Sequence, residues 1–208
     1  MQLIGYMDSP FVRRTAITME FLNISYDHRE LSIFRDFEAF RAINPLVKVP
    51  TLVLDDGEVL VDSGLIINYL ETQLARRSLM PAEPAAYRAA TQYVGTALVA
   101  MEKVAALLYE TGQRPAEWQY QPWIDRLQTQ LEGAVGLMES AISANAAGGS
   151  TWLFGPTPGQ ADISVAVAWR FTQHADAAQI RPAAFPALRA FSARAEALPE
   201  FLACPIAG

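Results

Sequence analysis

At 208 residues, 51% of them hydrophobic and 18% charged, the chain is too apolar to be disordered and long enough to bury one large core or two small ones, so neither disulfides nor structural metal are needed to hold it together. A net charge of -6, from 16 basic and 22 acidic residues, is the wrong sign for a surface that neutralises phosphates, which excludes nucleic acid as an expected partner. One cysteine, Cys204, and two histidines, His28 and His174, allow no internal disulfide and no tetrahedral zinc set, and the lone thiol fits a reducing, cytoplasmic compartment.

The first residues, MQLIGYMDSPFVRR, lack the basic leader, apolar run and small-residue cleavage site of a secretion signal, so none is expected. Residues 2–7 form a short apolar run read as a strand, and residues 10–22 carry apolar positions at helical spacing (Val12, Ala16, Met19). Residues 25–31 alternate as a second strand. Residues 34–43 hold a shorter helical pattern that stops before Asn44-Pro45. Two runs, 50–54 and 58–61, flank Asp55-Asp56-Gly57, whose Asp-Gly is a hairpin signal. A third helix is expected over 63–75, with Arg76-Arg77 set against the negative end of its dipole. Residues 79–84, bracketed by Pro81 and Pro84, read as a linker between an α/β domain (1–78) and an all-helical one (85–208). In the second domain two long helices, 85–111 and 122–145, flank an aromatic-rich loop. A break at 146–150, helices at 160–172 and 185–197 and a Pro-interrupted tail follow. No apolar stretch approaches the roughly 18 to 20 residues needed to span a bilayer, so no membrane is expected.

Three local motifs carry chemistry. Ser9-Pro10-Phe11 stands where the first strand hands over to the first helix, and a hydroxyl there meets the end of a helix that favours an anion; the same residues also read simply as an N-cap with Pro at N1. Asn44-Pro45-Leu46-Val47-Lys48-Val49-Pro50 puts a proline at the mouth of a central strand, where it marks an edge or a special bend. Asp62-Ser63 precedes the third helix. Ser63 as N-cap would offer its hydroxyl to a carboxylate, and Asp62 can take an ammonium.

The order of elements and the spacing of these motifs resemble the cytosolic glutathione transferases, over the whole chain. The resemblance implies a thioredoxin-like domain joined to a helical one, with glutathione as co-substrate, no metal, and serine-type chemistry in which the Ser9 hydroxyl donates to the thiolate. Phe11 belongs to the same serine-type tripeptide. It further implies a cis Val49-Pro50 bond that presents the Val49 backbone to the cysteinyl part of glutathione, Lys48 at the glycyl carboxylate, and Asp62 with Ser63 at the γ-glutamyl end. Gly159-Gln160-Ala161-Asp162 is similar to the family's capping box with Gly in place of Ser or Thr, so Asp162 is expected to accept the Gly159 N–H without a reciprocal bond.

The second substrate is expected to be a small hydrophobic electrophile, its pocket drawing on Met7, Val104, Leu108 and Trp118. Trp118, Tyr120 and Trp123 could wall that pocket, but an aromatic cluster of this kind reads first as core. Phosphate-loop, dinucleotide, zinc-protease and GxSxG signatures are absent from the sequence. A non-catalytic binding module and a glutathione-dependent isomerase, dehalogenase or peroxidase stay open beside conjugation. Apolar residues on more than one face of 85–101 (Tyr87, Tyr93, Val94, Leu98, Val99, Met101), together with the resemblance, point to a homodimer.

Overall fold

The computed structural model describes residues 1–75, 77–175 and 179–206. They fall into two compact units, one of residues 1–79 with the tail from residue 198, the other of residues 80–197.

The first unit is built on a four-stranded sheet. In chain order its elements are β1 (Gln2–Ile4), α1 (Pro10–Leu22), β2 (Asp27–Arg29), α2 (Phe37–Arg41), β3 (Thr51–Val53), β4 (Val59–Val61) and α3 (Ser63–Tyr69). Sheet order is β2-β1-β3-β4. β1 runs parallel to β2 and antiparallel to β3, and β3 is antiparallel to β4. Such a sheet with crossing helices is the expected thioredoxin-like arrangement.

The strands are shorter than the sequence pattern suggests, for local reasons. β1 stops at Ile4 because Gly5 adopts φ 132, a conformation essentially confined to glycine. β2 is an exposed strand at the edge of the sheet. The Asp-Gly hairpin forms as read, with Gly57 at φ 89 donating its N–H to the Leu54 carbonyl at 3.0 Å. α2 buries only Phe40, while Phe34 and Phe37 are exposed. α1 is covered nearly all round, even at Arg13 and Arg14.

α3 loosens into a π-helical turn over Leu70–Leu74. Arg77 does not serve that helix end. It donates to the Phe21 carbonyl in the last turn of α1, the dipole logic holding for a different helix, and Arg76 lies outside the described residues.

The tail, expected within the helical domain, groups with the first unit. α8 (Pro199–Leu202) is held there by an edge contact between Phe201 and Phe21 with centroids 6.4 Å apart. Arg13 stacks over Phe201 and donates from Nε to the Cys204 carbonyl at 2.8 Å. Cys204 is fully buried, its Sγ 3.7 Å from the Tyr26 hydroxyl. Desolvation pushes its thiol up to about 11, making it a packing residue.

The second unit consists of α4 (Pro84–Leu108), α5 (Gln121–Ala147), α6 (Gln160–His174) and α7 (Pro186–Glu196), with a π-helical turn at Tyr109–Gln113 after α4. Pro84, read as linker, instead opens α4 at N1; Glu83 caps it by accepting from the Ala85 and Ala86 amides at 2.9 and 2.7 Å. Met101, Val104, Leu131, Val135, Met138 and Ala166 are among its buried residues. Glu139 of α5 accepts from the Ala187 and Leu188 amides at 2.9 and 2.8 Å and so caps α7 from a neighbouring helix.

Asp162 anchors the start of α6. As expected, it accepts the Gly159 N–H at 2.9 Å, and its other oxygen accepts from Leu153 at 2.8 Å. Desolvation raises its carboxyl to about 6, against the pull of those N–H groups. A folded pKa above the unfolded value of 3.8 means that protonation favours the folded state: this contribution is complete below pH 3.8 and is lost as pH rises through 6. Asp162→Asn, which can accept only one of the two bonds, should cost about 1 to 3 kcal/mol at neutral pH. It should also flatten the slope of stability against pH between about 4 and 6, measured by urea unfolding.

Candidate active site

The sheet register brings the three motifs together. Ile4 pairs with Thr51, and Thr51 with Val61, so these residues form one row across one end of the sheet. Ser9 follows the strand that ends at Ile4, Val49-Pro50 precedes the strand that begins at Thr51, and Asp62-Ser63 follows the strand that ends at Val61. Ser9 thus meets, at one end of the sheet, two loops that lie 40 and 53 positions further along the sequence.

Ser9 occupies the N-cap position of α1 with extended φ and ψ, and Pro10 stands at N1, yet its side chain makes no capping hydrogen bond. The plain capping reading therefore does not describe it. The half-buried hydroxyl is not spent on the helix it precedes. Phe11 beside it is half-buried as well.

The Val49–Pro50 bond is cis, as the resemblance implies. Pro50 is buried, Val49 half-buried and Lys48 exposed. A polar lattice inside the loop fixes this segment: buried Asn44 donates from Nδ2 to Thr51 Oγ1 at 2.8 Å and accepts the Leu46 amide on Oδ1 at 3.0 Å, and Thr51 Oγ1 donates to the Lys48 carbonyl at 2.6 Å. Buried polar groups satisfied in this way rigidify a loop. Gly5 completes the packing. A Cβ placed on it would lie 2.6 Å from Val12 Cγ2 and 2.8 Å from Val49 Cγ1, so glycine is what lets the first turn of α1 and the cis-proline loop close on β1.

At the third motif the sequence assignment is corrected. Asp62, not Ser63, is the N-cap of α3: its Oδ1 accepts from the Gly64 and Leu65 amides at 2.8 and 3.1 Å, with φ 73. An aspartate both tolerates the left-handed region and accepts more strongly than a serine hydroxyl. Ser63 is the first helical residue, 4% exposed, and its oxygen accepts from Arg14 Nη1 at 2.9 Å. Arg14 is wholly buried, its pKa lowered to about 10 by desolvation while Asp62 pulls it upward. Arg13, its neighbour in α1, is engaged with Cys204 and Phe201 instead.

Two family models match this chain: the N-terminal domain of glutathione S-transferases over residues 3–78 and the C-terminal domain over residues 121–194. The chain belongs to the glutathione S-transferase family. Maleylacetoacetate isomerase of Pseudomonas aeruginosa is 29% identical over 171 residues, covering 78% of this chain and 77% of that protein. The structure of a glutathione S-transferase from Methylobacterium radiotolerans in complex with glutathione sulfonate matches with a TM-score of 0.89 at 23% identity, over 100% of this chain and 95% of the other. The structure of maleylacetoacetate isomerase from Methylobacterium extorquens AM1 with bound malonate and glutathione matches with a TM-score of 0.76 at 25% identity, over 98% and 95%. This glutathione transferase therefore shares the two-domain family fold.

Residues expected to form the transferase's electrophile pocket have diverse surroundings. Met7, in the first unit, is buried, at 9% exposure. In the second unit Val104 is fully buried, a core position with no surface to offer a ligand, whereas Leu108 is half-buried. Trp118, Tyr120 and Trp123 are exposed, which overturns the core reading of that cluster. Their loop is pinned by Glu110, which accepts the Tyr120 amide at 3.0 Å, and by Gln119, which donates to the Thr111 and Arg114 carbonyls.

Sequence reasoning missed Gly5, Arg14, Asn44 and Thr51. Arg14 carried a weak signal: a cation in a helix whose burial is nearly complete needs a partner from elsewhere in the fold.

Proposed function

We propose that this protein is a serine-type glutathione transferase that activates the thiol of glutathione at Ser9 and transfers it to a small hydrophobic electrophile in the cytoplasm. The observation that carries this reading is the row Ile4, Thr51, Val61, from which all three glutathione motifs depart. Glutathione would lie along that edge with its thiol at Ser9 and beside Phe11, its cysteinyl backbone against Val49 ahead of Pro50, its glycyl carboxylate near Lys48 and its γ-glutamyl group at Asp62 and Ser63. The cap bonds of Asp62 go to Oδ1 alone, so Oδ2 is available to an ammonium.

The energetics suffice. Lowering a thiol from about 8.5 to about 6.5 requires roughly 2.7 kcal/mol of preferential thiolate stabilisation. One charge-assisted hydrogen bond supplies about 1.5 to 3 kcal/mol, and the N-terminus of a 13-residue helix adds up to about 1 to 2. Retention on immobilised glutathione followed by turnover of model electrophiles tests the reading. A retained protein that turns over none of them would instead be a glutathione-binding module.

The Pseudomonas relative favours a second reading, glutathione-dependent cis–trans isomerisation. There the thiolate adds to a double bond, the resulting single bond rotates, and the thiolate is expelled, so glutathione is regenerated. Conjugation consumes one thiol per turnover and isomerisation none, which a thiol titration during turnover separates.

Homodimerisation is part of the proposal. Tyr87 and Val99 are 51% and 40% exposed on α4, whereas Met101, counted with them from the sequence, is buried in the core. An interface of about 1,600 Å² covering these residues would persist at micromolar concentration if its centre is well packed. Light scattering during size exclusion should report a mass near twice 22.8 kDa; a monomeric peak across the micromolar range would refute it.

A further inference from the structure

Two adjacent arginines of α1 have different tasks. Arg13 ties down the chain's tail, whereas Arg14, 1% exposed, reaches from α1 to the start of α3 and donates to the Ser63 oxygen at 2.9 Å. A guanidinium has donors and no acceptor. The Ser63 oxygen is therefore the acceptor in this bond, and its hydroxyl hydrogen must be directed at some other group. A hydroxyl loaded by a cation in this way is also polarised into a stronger donor. The partner it suits is an anion such as a carboxylate. Arg14 also attracts the neighbouring Asp62 electrostatically, and Asp62 in turn holds the first amides of α3.

We propose that Arg14 is the positioning residue of the γ-glutamyl subsite: its bond to Ser63 fixes that hydroxyl as a donor to the incoming carboxylate, and its buried charge holds Asp62 and Ser63 in register on one side of that subsite. The inference rests on the reading that Asp62 and Ser63 receive glutathione. Without Arg14 the hydroxyl is free to rotate and to act as an acceptor, which a carboxylate does not need. Because the subsite is remote from the sulfur, losses should appear in binding and not in the chemical step.

The test is a double-mutant cycle on the full chain, with glutathione itself as the calorimetric ligand. Arg14→Gln should weaken glutathione binding about tenfold, raising KM for glutathione with kcat nearly unchanged. Arg14→Lys keeps the charge and loses the planar fork, and should weaken it by about threefold. Both effects should shrink when Ser63 is already alanine, leaving only the part that acts through Asp62. Should Arg14→Gln fail to fold, the Arg14→Lys cycle decides by itself. Equal fold-losses in the Ser63 and Ser63→Ala backgrounds, wild-type affinity in Arg14→Lys, or a fall in kcat at unchanged KM would overturn the inference. A wild-type protein that binds no glutathione would overturn the functional reading, and this inference with it.

Discussion

Gly5→Ala should destabilise the protein by about 2 to 5 kcal/mol, the sum of overpacking and of forcing a side chain into a positive-φ conformation. Both parts are local. The new methyl carbon would sit 2.6 Å from Val12 Cγ2 and 2.8 Å from Val49 Cγ1, at φ 132, and neither neighbour is the loose end of a long chain. Val12 is fully buried in α1, and Val49 belongs to the loop pinned by Asn44 and Thr51. Relief therefore has to come from the backbone, by pushing the cis-proline loop or α1 away from β1. Urea unfolding should show a lower midpoint with an unchanged slope. The surviving folded protein should bind glutathione more weakly, since both displaced segments border its site. An unchanged midpoint would mean that the sheet end accommodates a methyl group and that close packing there does not shape the site.

Asp62 carries the second large effect, and its two roles can be separated. As the cap of α3 it accepts two amides on Oδ1 at φ 73; as a ligand group it is proposed to hold an ammonium. Asp62→Asn keeps an acceptor oxygen and a residue type that tolerates the left-handed region, so the cap survives and stability should fall by no more than about 1 kcal/mol, the cost of taking the neighbouring carboxylate from buried Arg14. The charge is gone, however, and with it a charge-assisted bond worth about 1.5 to 3 kcal/mol, a loss of affinity of roughly tenfold to a hundredfold. Asp62→Ala should lose the same affinity and about 1 to 2 kcal/mol of stability besides. Calorimetry and thermal unfolding on the pair distinguish these outcomes. Wild-type affinity in Asp62→Asn would reduce the residue to a helix cap.

The two-domain architecture was legible because its signals are local: helical periodicity over 10–22, the Asp-Gly turn at 56–57, prolines at 81 and 84, and long amphipathic runs thereafter. Motif residues were legible for the same reason, each standing at an element boundary. What the sequence did not yield depends on partners distant in the chain. The cap of α3 fell to Asp62 because Ser63 was claimed by Arg14, 49 positions away, and no spacing rule encodes such a pair. The tail joined the first unit through Arg13, Phe21 and Tyr26, whereas sequence order alone assigned it to the helical domain. Trp118 and its neighbours are exposed on a loop that the Glu110 and Gln119 side chains hold through main-chain groups, a constraint that aromatic composition does not reveal. Asn44-Pro45 looked like a helix stop, yet α2 has already ended at Arg41, and the asparagine instead braces the loop that carries Val49.

On the proposed function, the Ser9 hydroxyl, unused by the helix it precedes, stabilises the thiolate of bound glutathione. The most direct test is the ultraviolet thiolate absorbance of the glutathione complex titrated against pH, in wild-type protein and in Ser9→Ala. Removing the hydroxyl should raise the pKa of the bound thiol by about one to two units, equivalent to about 1.4 to 2.7 kcal/mol, while affinity for glutathione changes little. Superimposable titration curves would contradict the account and remove Ser9 from the mechanism.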